Sequence, residues 1–481
     1  MKKILYIIPL LALGAAVSGC GDFLNKYPKD QSYVNNTDDL NELLVGKAYM
    51  SPSAGYENGD IGYWMQVMDD DMLFITSSTD RYPACDFYWW EPYVETENTW
   101  KALYERINII NAVLDEVDRF IDEPGDNYRK VKGEALFLRS AYYYLLVNLY
   151  AQPYSAQTAA GPGVPLKLIS TIEDKRYSRN TVGECYDRIV KDLGDAVELL
   201  KGIHPDTPYK AGEMSARMLL GRVHLYMGNW EEAAAQCNAV ISSPLYRLLN
   251  YNAIEYDGVM INMPSVVSKS TPEMIFSAGV TTTGAQAFSI TTTMFGYSSE
   301  LEASYTVDDL RLTYFFRGNP FYGKTLQKRT RLLDDRCSDF FALRLPEAYL
   351  NRAEALAMLG RDQLAAADLL AIRKNRIPEP AAISETGESL VNLIRDERRR
   401  EFVFEGQRWF DLRRYAVSPK WPFEKEIRHP YYEYSTITGD LVLKPYSQEP
   451  EYYVLPLPEN EVQLNGGALV QNPVRALKTV E

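Results

Sequence analysis

Apolar residues recur every three or four positions in several long segments of the chain, which is the spacing of an amphipathic α-helix. One such segment runs from Trp100 to Phe120. Another, at 128–150, is apolar on almost every side, so we expect it to be a central helix. Thr181 and Glu184 have the spacing of a capping box, which predicts the start of a third helix. The chain is therefore predicted to be mainly α-helical.

Two later segments match each other in the positions of their small residues. They are ARMLLGRVHLYMGNWEEAAAQCNAVI, from Ala216, and AYLNRAEALAMLGRDQLAAADLLAIR, from Ala348. A small residue in one helix lets the next helix approach closely, and a glycine with positive φ ends the first helix. The matching residues are Gly221, Gly228 and Ala233 in one segment and Ala353, Gly360 and Ala365 in the other. This layout predicts tetratricopeptide-like helical hairpins, about four in number, with insertions between them.

Two stretches lack the helical period. Residues 251–328 are rich in Thr, Ser and Gly, which predicts short strands and long loops. A tyrosine-rich hairpin is predicted from Tyr431 to Tyr446, with its turn at Thr438-Gly439-Asp440. We expect these insertions to form a ligand face on the helical scaffold. An N-terminal part at about 38–250 and a C-terminal part at about 251–481 are expected to fold as one unit.

The N-terminus has the pattern of a secretion signal. Lys2 and Lys3 precede an uncharged apolar run at 4–17, which is too short to cross a bilayer comfortably. The run ends in Val-Ser-Gly before Cys20 and resembles the lipobox of bacterial lipoproteins, in which the cysteine is acylated. We therefore predict a signal peptide at 1–19, lipidation at Cys20 and a tether at 20–37 that leads into a helix. Ordinary secretion, with no role for this cysteine, is the alternative.

Charge and rare residue types exclude several classes of function. The chain of 481 residues has a formal net charge of −14, and loss of residues 1–19, with their two lysines, makes it −16. This charge argues against nucleic acid as a partner. The three histidines are far apart in sequence, which argues against a zinc site or a histidine-based triad. The cysteines other than Cys20 lack CxxC spacing and are expected to be buried thiols; they are Cys85, Cys185, Cys237 and Cys337.

The stretch DFYWWEPYVETENTW, at 86–100, holds four consecutive aromatic residues and is predicted to be mostly a loop. Trp100 is expected to be core, as the first turn of the following helix. Aromatic planes stack on sugar rings while polar groups bind the hydroxyls, so at least one of Trp89 and Trp90 is expected to face a ligand. The alternative is that the rings pack the loop onto the helices, and this is expected of Phe87 and Tyr88. The candidate ligand-binding residues are Trp89, Trp90, Tyr88, Arg81, Tyr297 and Trp64.

Three consecutive carboxylates, Asp69-Asp70-Asp71, are the candidate site for a hard cation such as calcium. No EF-hand spacing follows them, and a solvated acidic turn or a cap is favoured over a metal site. No cofactor is therefore predicted, and calcium is kept only as a hypothesis.

A second acidic motif lies within IRDERRREFVFEGQRWFDLRR. Glu401 and Glu405 are one helical turn apart, as the two carboxylates of a glycosidase could be. Five arginines lie between Arg395 and Arg408, however, and a neighbouring arginine lowers a carboxyl pKa. The motif is therefore predicted to be a structural network that ties its helix to the preceding hairpin.

Motifs spread over the whole chain resemble the SusD/RagB family of Bacteroidetes outer-membrane lipoproteins. After the lipobox and Asp22-Phe23-Leu24 they are Trp100-x-x-Leu103-Tyr104-x-x-Ile107-x-x-x-Asn111, Arg344-Leu345-Pro346-Glu347-Ala348-Tyr349-Leu350-x-Arg352-Ala353-Glu354-Ala355, Asp396-Glu397-Arg398-Arg399-x-Glu401-Phe402-x-x-Glu405-Gly406-x-Arg408-Trp409-Phe410-Asp411-Leu412, Leu455-Pro456-Leu457-Pro458-x-x-Glu461 and Gln471-Asn472-Pro473. The chain has Val474-Arg475 where the family usually has Gly-Tyr after the last Asn-Pro.

The resemblance implies a function and a place in the cell. It implies a lipid-anchored protein on the outer face of the outer membrane, without catalytic activity. Its implied role is to bind glycan and deliver it to a SusC-like TonB-dependent transporter. Peptides or other nutrients are the alternative ligands, and a glycoside hydrolase is the third hypothesis.

Overall fold

Long α-helices dominate the fold. In a computed structural model, the described residues are 34–50, 67–74, 83–94, 96–256, 265–279, 295–319, 323–326, 328, 335, 337–338, 341–433 and 436–481. The helices are α1 Thr37–Leu43, α2 Pro83–Tyr88, α3 Glu97–Glu116, α4 Asn127–Tyr150, α5 Val182–Leu199, α6 Glu213–Met227, α7 Trp230–Ile241, α8 Ser299–Ala303, α9 Arg311–Phe315, α10 Leu345–Met358, α11 Asp362–Lys374, α12 Gly387–Glu401, α13 Arg408–Ala416 and α14 Glu459–Leu464. A π-helical turn at Leu44–Ala48 follows α1, and 3-10 turns lie at Val117–Phe120, Tyr251–Ala253 and Pro450–Tyr453.

The long helices pack on their neighbours in chain order. Each of α3 to α7 packs on the next, and α10 packs on α7, α11 and α12, so it joins the two halves of the chain. The central helix α4 is buried on nearly all sides, as its sequence predicts. Thr181 caps α5 through the predicted capping box, in which its hydroxyl accepts from the Glu184 backbone and the Glu184 carboxylate accepts from the Thr181 backbone. The prediction of a mainly helical, tetratricopeptide-like fold is confirmed.

The two matched segments form the predicted hairpins α6/α7 and α10/α11. Gly228 and Gly360 follow the first helix of each hairpin with φ of 76° and 75°, a conformation that L side chains rarely adopt. A Cβ atom on Gly221 would lie 2.9 Å from the sulfur of Cys237, so only glycine fits this helix crossing without movement. Cys185, Cys237 and Cys337 are buried, as expected, and the side chain of Cys85 lies outside the described residues.

Short strands pair in four two-stranded sheets within the described part of the chain. The strands are β1 Met72–Phe74, β2 Met274–Ser277, β3 Phe295–Tyr297, β4 Phe316–Asn319, β5 Gly323–Leu326, β6 Ala342–Arg344, β7 Ile427–Glu433 and β8 Thr436–Leu443. The antiparallel pairs are β1 with β3, β2 with β6, β4 with β5, and β7 with β8. The predicted hairpin exists, but its predicted turn is wrong, because Gly439 lies inside β8 opposite Tyr431.

The arginine-rich helix α12 is held by a buried ion-pair network centred on Glu401. The Glu401 carboxylate accepts hydrogen bonds from Arg376 at 2.9 and 3.0 Å, Arg311 at 3.2 Å and Arg344 at 3.3 Å. Arg344 also donates to Glu405. Burial opposes ionisation of Glu401, but the guanidiniums, Arg376 foremost, hold its pKa well below its usual range. The predicted structural network is confirmed, and Arg376 ties α12 to the end of the α10/α11 hairpin.

Candidate functional site

The four consecutive rings of the aromatic segment at 86–100 are part of the core. Its first residues form the short helix α2, not a loop, and the next two form a turn. Trp90 is 0% exposed and Trp89 8% exposed, while Phe87 and Tyr88 are also buried. The expectation that one of these tryptophans faces solvent is therefore wrong, and the packing expected of Phe87 and Tyr88 is confirmed. The Tyr88 side chain is equally unable to meet a ligand in this conformation.

The reason for this burial is His429, which β7 inserts between two of the rings. The imidazole stacks on Tyr88 at 4.0 Å between centroids and on Trp90 at 4.2 Å, with interplanar angles of 3° and 12°. Its Nδ1 lies 2.5 Å from the Tyr88 carbonyl oxygen and its Nε2 2.7 Å from that of Asp69. Burial lowers the pKa of His429 to about 4, although the two carbonyls oppose this shift. The aromatic segment, β7 and the acidic turn are thereby locked together.

The acidic turn Asp69–Asp71 is buried, so the expectation of a solvated turn is wrong. The Asp70 carboxylate accepts from Arg408 at 2.7 Å and from Lys425 at 2.8 Å, and Asp71 accepts from Arg399 at 2.9 Å. Burial raises the pKa of Asp70, but Arg408 and the other cations hold it well below its usual range. These two carboxylates neutralise protein cations instead of lying open to a metal.

No metal site is evident in the part of the chain that the structure describes. It contains no group of three or more His, Cys, Asp or Glu residues arranged to hold a metal ion. Asp69 directs one carboxylate oxygen to the backbone N–H groups of Asp71 and Met72, at 2.9 and 3.3 Å. The calcium hypothesis for this turn therefore has no structural support.

The acidic turn leads directly into β1, which pairs with β3. Tyr297 on β3 is buried, and its ring lies 4.4 Å from that of Phe316 on β4, so it belongs to the core. Its predicted ligand-facing position is wrong in this conformation. Trp64 and Arg81 lie outside the described residues, and their roles stay predictions.

The exposed ring of the aromatic segment is Tyr93, which sequence reasoning did not single out. It is 83% exposed and lies beside a cleft of about 740 Å³ between this segment and the C-terminal residues 456–475. The available signal was its setting, because Pro92 breaks the aromatic run and polar residues follow. Burial of the four preceding rings could not be predicted from the sequence, because it depends on the position of His429 between Tyr88 and Trp90.

Comparisons with known proteins identify the family. Residues 22–225 match the profile SusD-like_3, described as "Starch-binding associating with outer membrane", and residues 321–474 match SusD_RagB, described as "SusD family". SusD-like protein P2 of Formosa agariphila is 21% identical over 98% of this chain and 100% of that protein. SusD-like protein P25 of the same organism is 26% identical, but over only 33% of this chain and 29% of the relative.

Solved structures agree with this fold. A putative sugar binding protein from Bacteroides vulgatus is 25% identical, with a TM-score of 0.75 over 92% of this chain and 99% of that one. A laminarin binding SusD-like protein is 21% identical, with a TM-score of 0.66 over 92% of this chain and 100% of that one. The chain belongs to the SusD/RagB family, whose members are sugar-binding proteins associated with the outer membrane. Within its described residues, no helix is long and apolar enough to cross a membrane.

Proposed function

We propose that this protein binds glycan at the cell surface and delivers it to a TonB-dependent outer-membrane transporter. The observation that carries the proposal is the match of residues 22–225 to the profile described as "Starch-binding associating with outer membrane". The similarity to a putative sugar binding protein and to a laminarin binding SusD-like protein also supports a glycan ligand. Trp64 and Arg81 stay the predicted ligand residues.

Binding without hydrolysis is the activity that the acidic residues favour. Glu401 and Glu405 are both buried and paired with arginine. Burial opposes ionisation of Glu401, but Arg376 and the other guanidiniums hold its pKa well below its usual range. A general acid needs the opposite shift and access to the glycosidic oxygen. Glu401 and Glu405 therefore meet neither requirement, which supports a binding protein over a glycoside hydrolase.

The anchor and the transporter complete the proposal. Acylation of Cys20 would tether the mature chain to the outer membrane, with the protein facing the cell exterior. A SusC-like transporter would receive the glycan. An alanine at Cys20 should move the protein from the membrane fraction to the soluble fraction, and retention in the membrane would refute the lipid anchor. Co-purification of the native lipoprotein with a TonB-dependent transporter, from membranes of cells that express both proteins, tests the partner. If no transporter co-purifies, delivery is refuted.

The ligand is tested by calorimetry with the mature protein against starch and laminarin oligosaccharides, with a peptide panel as the comparison. Trp64→Ala should weaken glycan binding, and Trp64→Phe, which keeps a ring, should weaken it less. Binding of peptides alone would replace glycan as the ligand. Release of reducing ends from a polysaccharide would overturn the non-catalytic assignment. Trp89→Ala and Trp90→Ala do not test the site, because both rings are buried.

A further inference from the structure

Tyr93 is an exposed aromatic ring on a loop that is tied down on both sides. On one side, the Glu91 backbone N–H donates to the Asp86 carbonyl at 2.8 Å, which closes the turn after α2. On the other side, the Thr96 hydroxyl donates to the Pro456 carbonyl at 3.2 Å. An 83% exposed ring contributes little to the core, so its fixed presentation to solvent has no evident structural purpose. A preorganised exposed ring is what stacking on a ligand requires.

The cleft beside Tyr93 has the size and the polar groups of a ligand site. Its volume of about 740 Å³ lies within the usual range for small-molecule pockets. Glu97 and Asn460 lie on it and form a hydrogen bond of 2.9 Å with each other. Glu459 and Asp86 add further carboxylates to the lining. Sugar hydroxyls both donate and accept, so paired carboxylate and amide groups suit them.

The floor of the cleft is rigid as well. The Gln471 side chain accepts from the Leu457 N–H at 2.7 Å and donates to the Leu457 carbonyl at 2.8 Å. Asn472 donates to the Leu455 carbonyl at 2.6 Å and to the Tyr150 carbonyl at 2.9 Å. The C-terminal segment is thereby hydrogen-bonded to the end of α4, which supports this side of the cleft.

The charge of the cleft restricts the kind of glycan. Three of its described lining residues carry carboxylates, and the single arginine or lysine among them is Arg475. That guanidinium is buried and donates to the carbonyls of Tyr452, Val454 and Glu91, so it is not presented to a ligand. Uronate or sulfate groups would meet a lining that carries more carboxylates than cations, which disfavours them. Val474 and Arg475, where the chain departs from the usual family pattern, both line this cleft.

We propose that this cleft is a glycan subsite that binds neutral oligosaccharides by stacking a sugar ring on Tyr93. The inference rests on the proposed function and assigns a subsite at a residue that the sequence analysis did not single out. A protein contact is less well supported, because the ring stands among carboxylates and amides and a protein interface has an apolar centre. A second cavity, of about 850 Å³, is a weaker candidate, because its Trp100 ring is buried and its Tyr104 hydroxyl donates to the Pro165 carbonyl.

The test is calorimetry of the mature protein with maltoheptaose, laminarin oligosaccharides and oligogalacturonate. Tyr93→Ala should weaken binding of a neutral oligosaccharide about tenfold, and Tyr93→Trp should retain it. Phe423→Ala is the matched control, because it removes another exposed ring that does not line the cleft. Thermal unfolding should be the same for the wild type and Tyr93→Ala, since this ring is 83% exposed. Glu459→Lys should improve binding of oligogalacturonate relative to the wild type.

The outcomes separate this inference from the proposed function. If the wild type binds no glycan, the proposed function fails and the inference fails with it. If the wild type binds glycan and Tyr93→Ala binds it equally, only the inference fails. Reduced co-purification of the Tyr93→Ala variant with a transporter, at unchanged glycan affinity, would make the ring a protein contact and overturn the subsite. Tighter binding of oligogalacturonate than of the neutral oligosaccharides by the wild type would overturn the charge argument.

Discussion

Replacement of Glu401 by glutamine should destabilise the protein strongly, because this carboxylate is the centre of the buried network. Its two oxygens accept from three guanidiniums, at distances from 2.9 to 3.3 Å. Glutamine keeps one oxygen but turns an amide N–H₂ toward an arginine donor, so at least one of the three loses its acceptor. Removal of one partner of a buried ion pair costs about 3–5 kcal/mol of folding free energy.

An exposed ion pair of similar geometry provides the control. Glu231 accepts from both terminal nitrogens of Arg361, one of them at 3.0 Å, and the side chains are 56% and 46% exposed. Surface pairs contribute about 0–1 kcal/mol, so Glu231→Gln should leave the free energy of unfolding nearly unchanged. The comparison therefore isolates burial as the cause of the large effect.

Urea unfolding of the mature wild type and the two variants, followed by circular dichroism, measures the difference. Equal losses for Glu401→Gln and Glu231→Gln, both under about 1 kcal/mol, would refute the reasoning. The pH dependence adds a second check. Because the folded pKa of Glu401 is depressed, its contribution is present above the unfolded value of about 4.3 and is lost as pH falls below it. The gap between wild type and Glu401→Gln should narrow below that pH.

Three further predictions concern the core and the candidate site. The free energy of unfolding of the wild type should decrease as pH is lowered from about 6.5 to 4, because His429 binds a proton in the unfolded state but not in the folded state. His429→Gln should show a smaller decrease over this range. Gly221→Ala should cost about 1–3 kcal/mol in urea unfolding, because its Cβ would meet the Cys237 sulfur at 2.9 Å, and Cys237→Ala in the same chain should recover part of that loss; no recovery would exclude this clash. Trp90→Ala should cost about 3–5 kcal/mol, and a fold as stable as the wild type would show that the ring is not core.

Much of the scaffold could be predicted from local patterns. The capping box at Thr181, the all-round apolar helix at 128–150 and the glycines at 228 and 360 each depend on neighbours within one or two helical turns. The density of arginine around Glu401 predicted a structural network, although its partners Arg311, Arg344 and Arg376 come from other elements.

The candidate site was predicted less well, because exposure is a property of distant contacts. Asp69–Asp71 resembles a solvated turn in sequence, but its cations come from residues more than 320 positions later. The predicted turn at Gly439 failed for a similar reason, since strand register depends on pairing along the whole hairpin.

Sequence alone determined the long helices at 100–120 and 128–150, the glycines that end two helices and the family that the chain resembles, because these depend on short-range spacing and motif order. Tertiary structure alone decided which rings of the aromatic segment are buried. His429, 341 positions after Tyr88, fills the space between Tyr88 and Trp90 and closes it to solvent. Tyr93 lies beyond that contact, on a short loop fixed by Asp86 and Pro456, and so it is the ring of this segment that solvent and a sugar can reach.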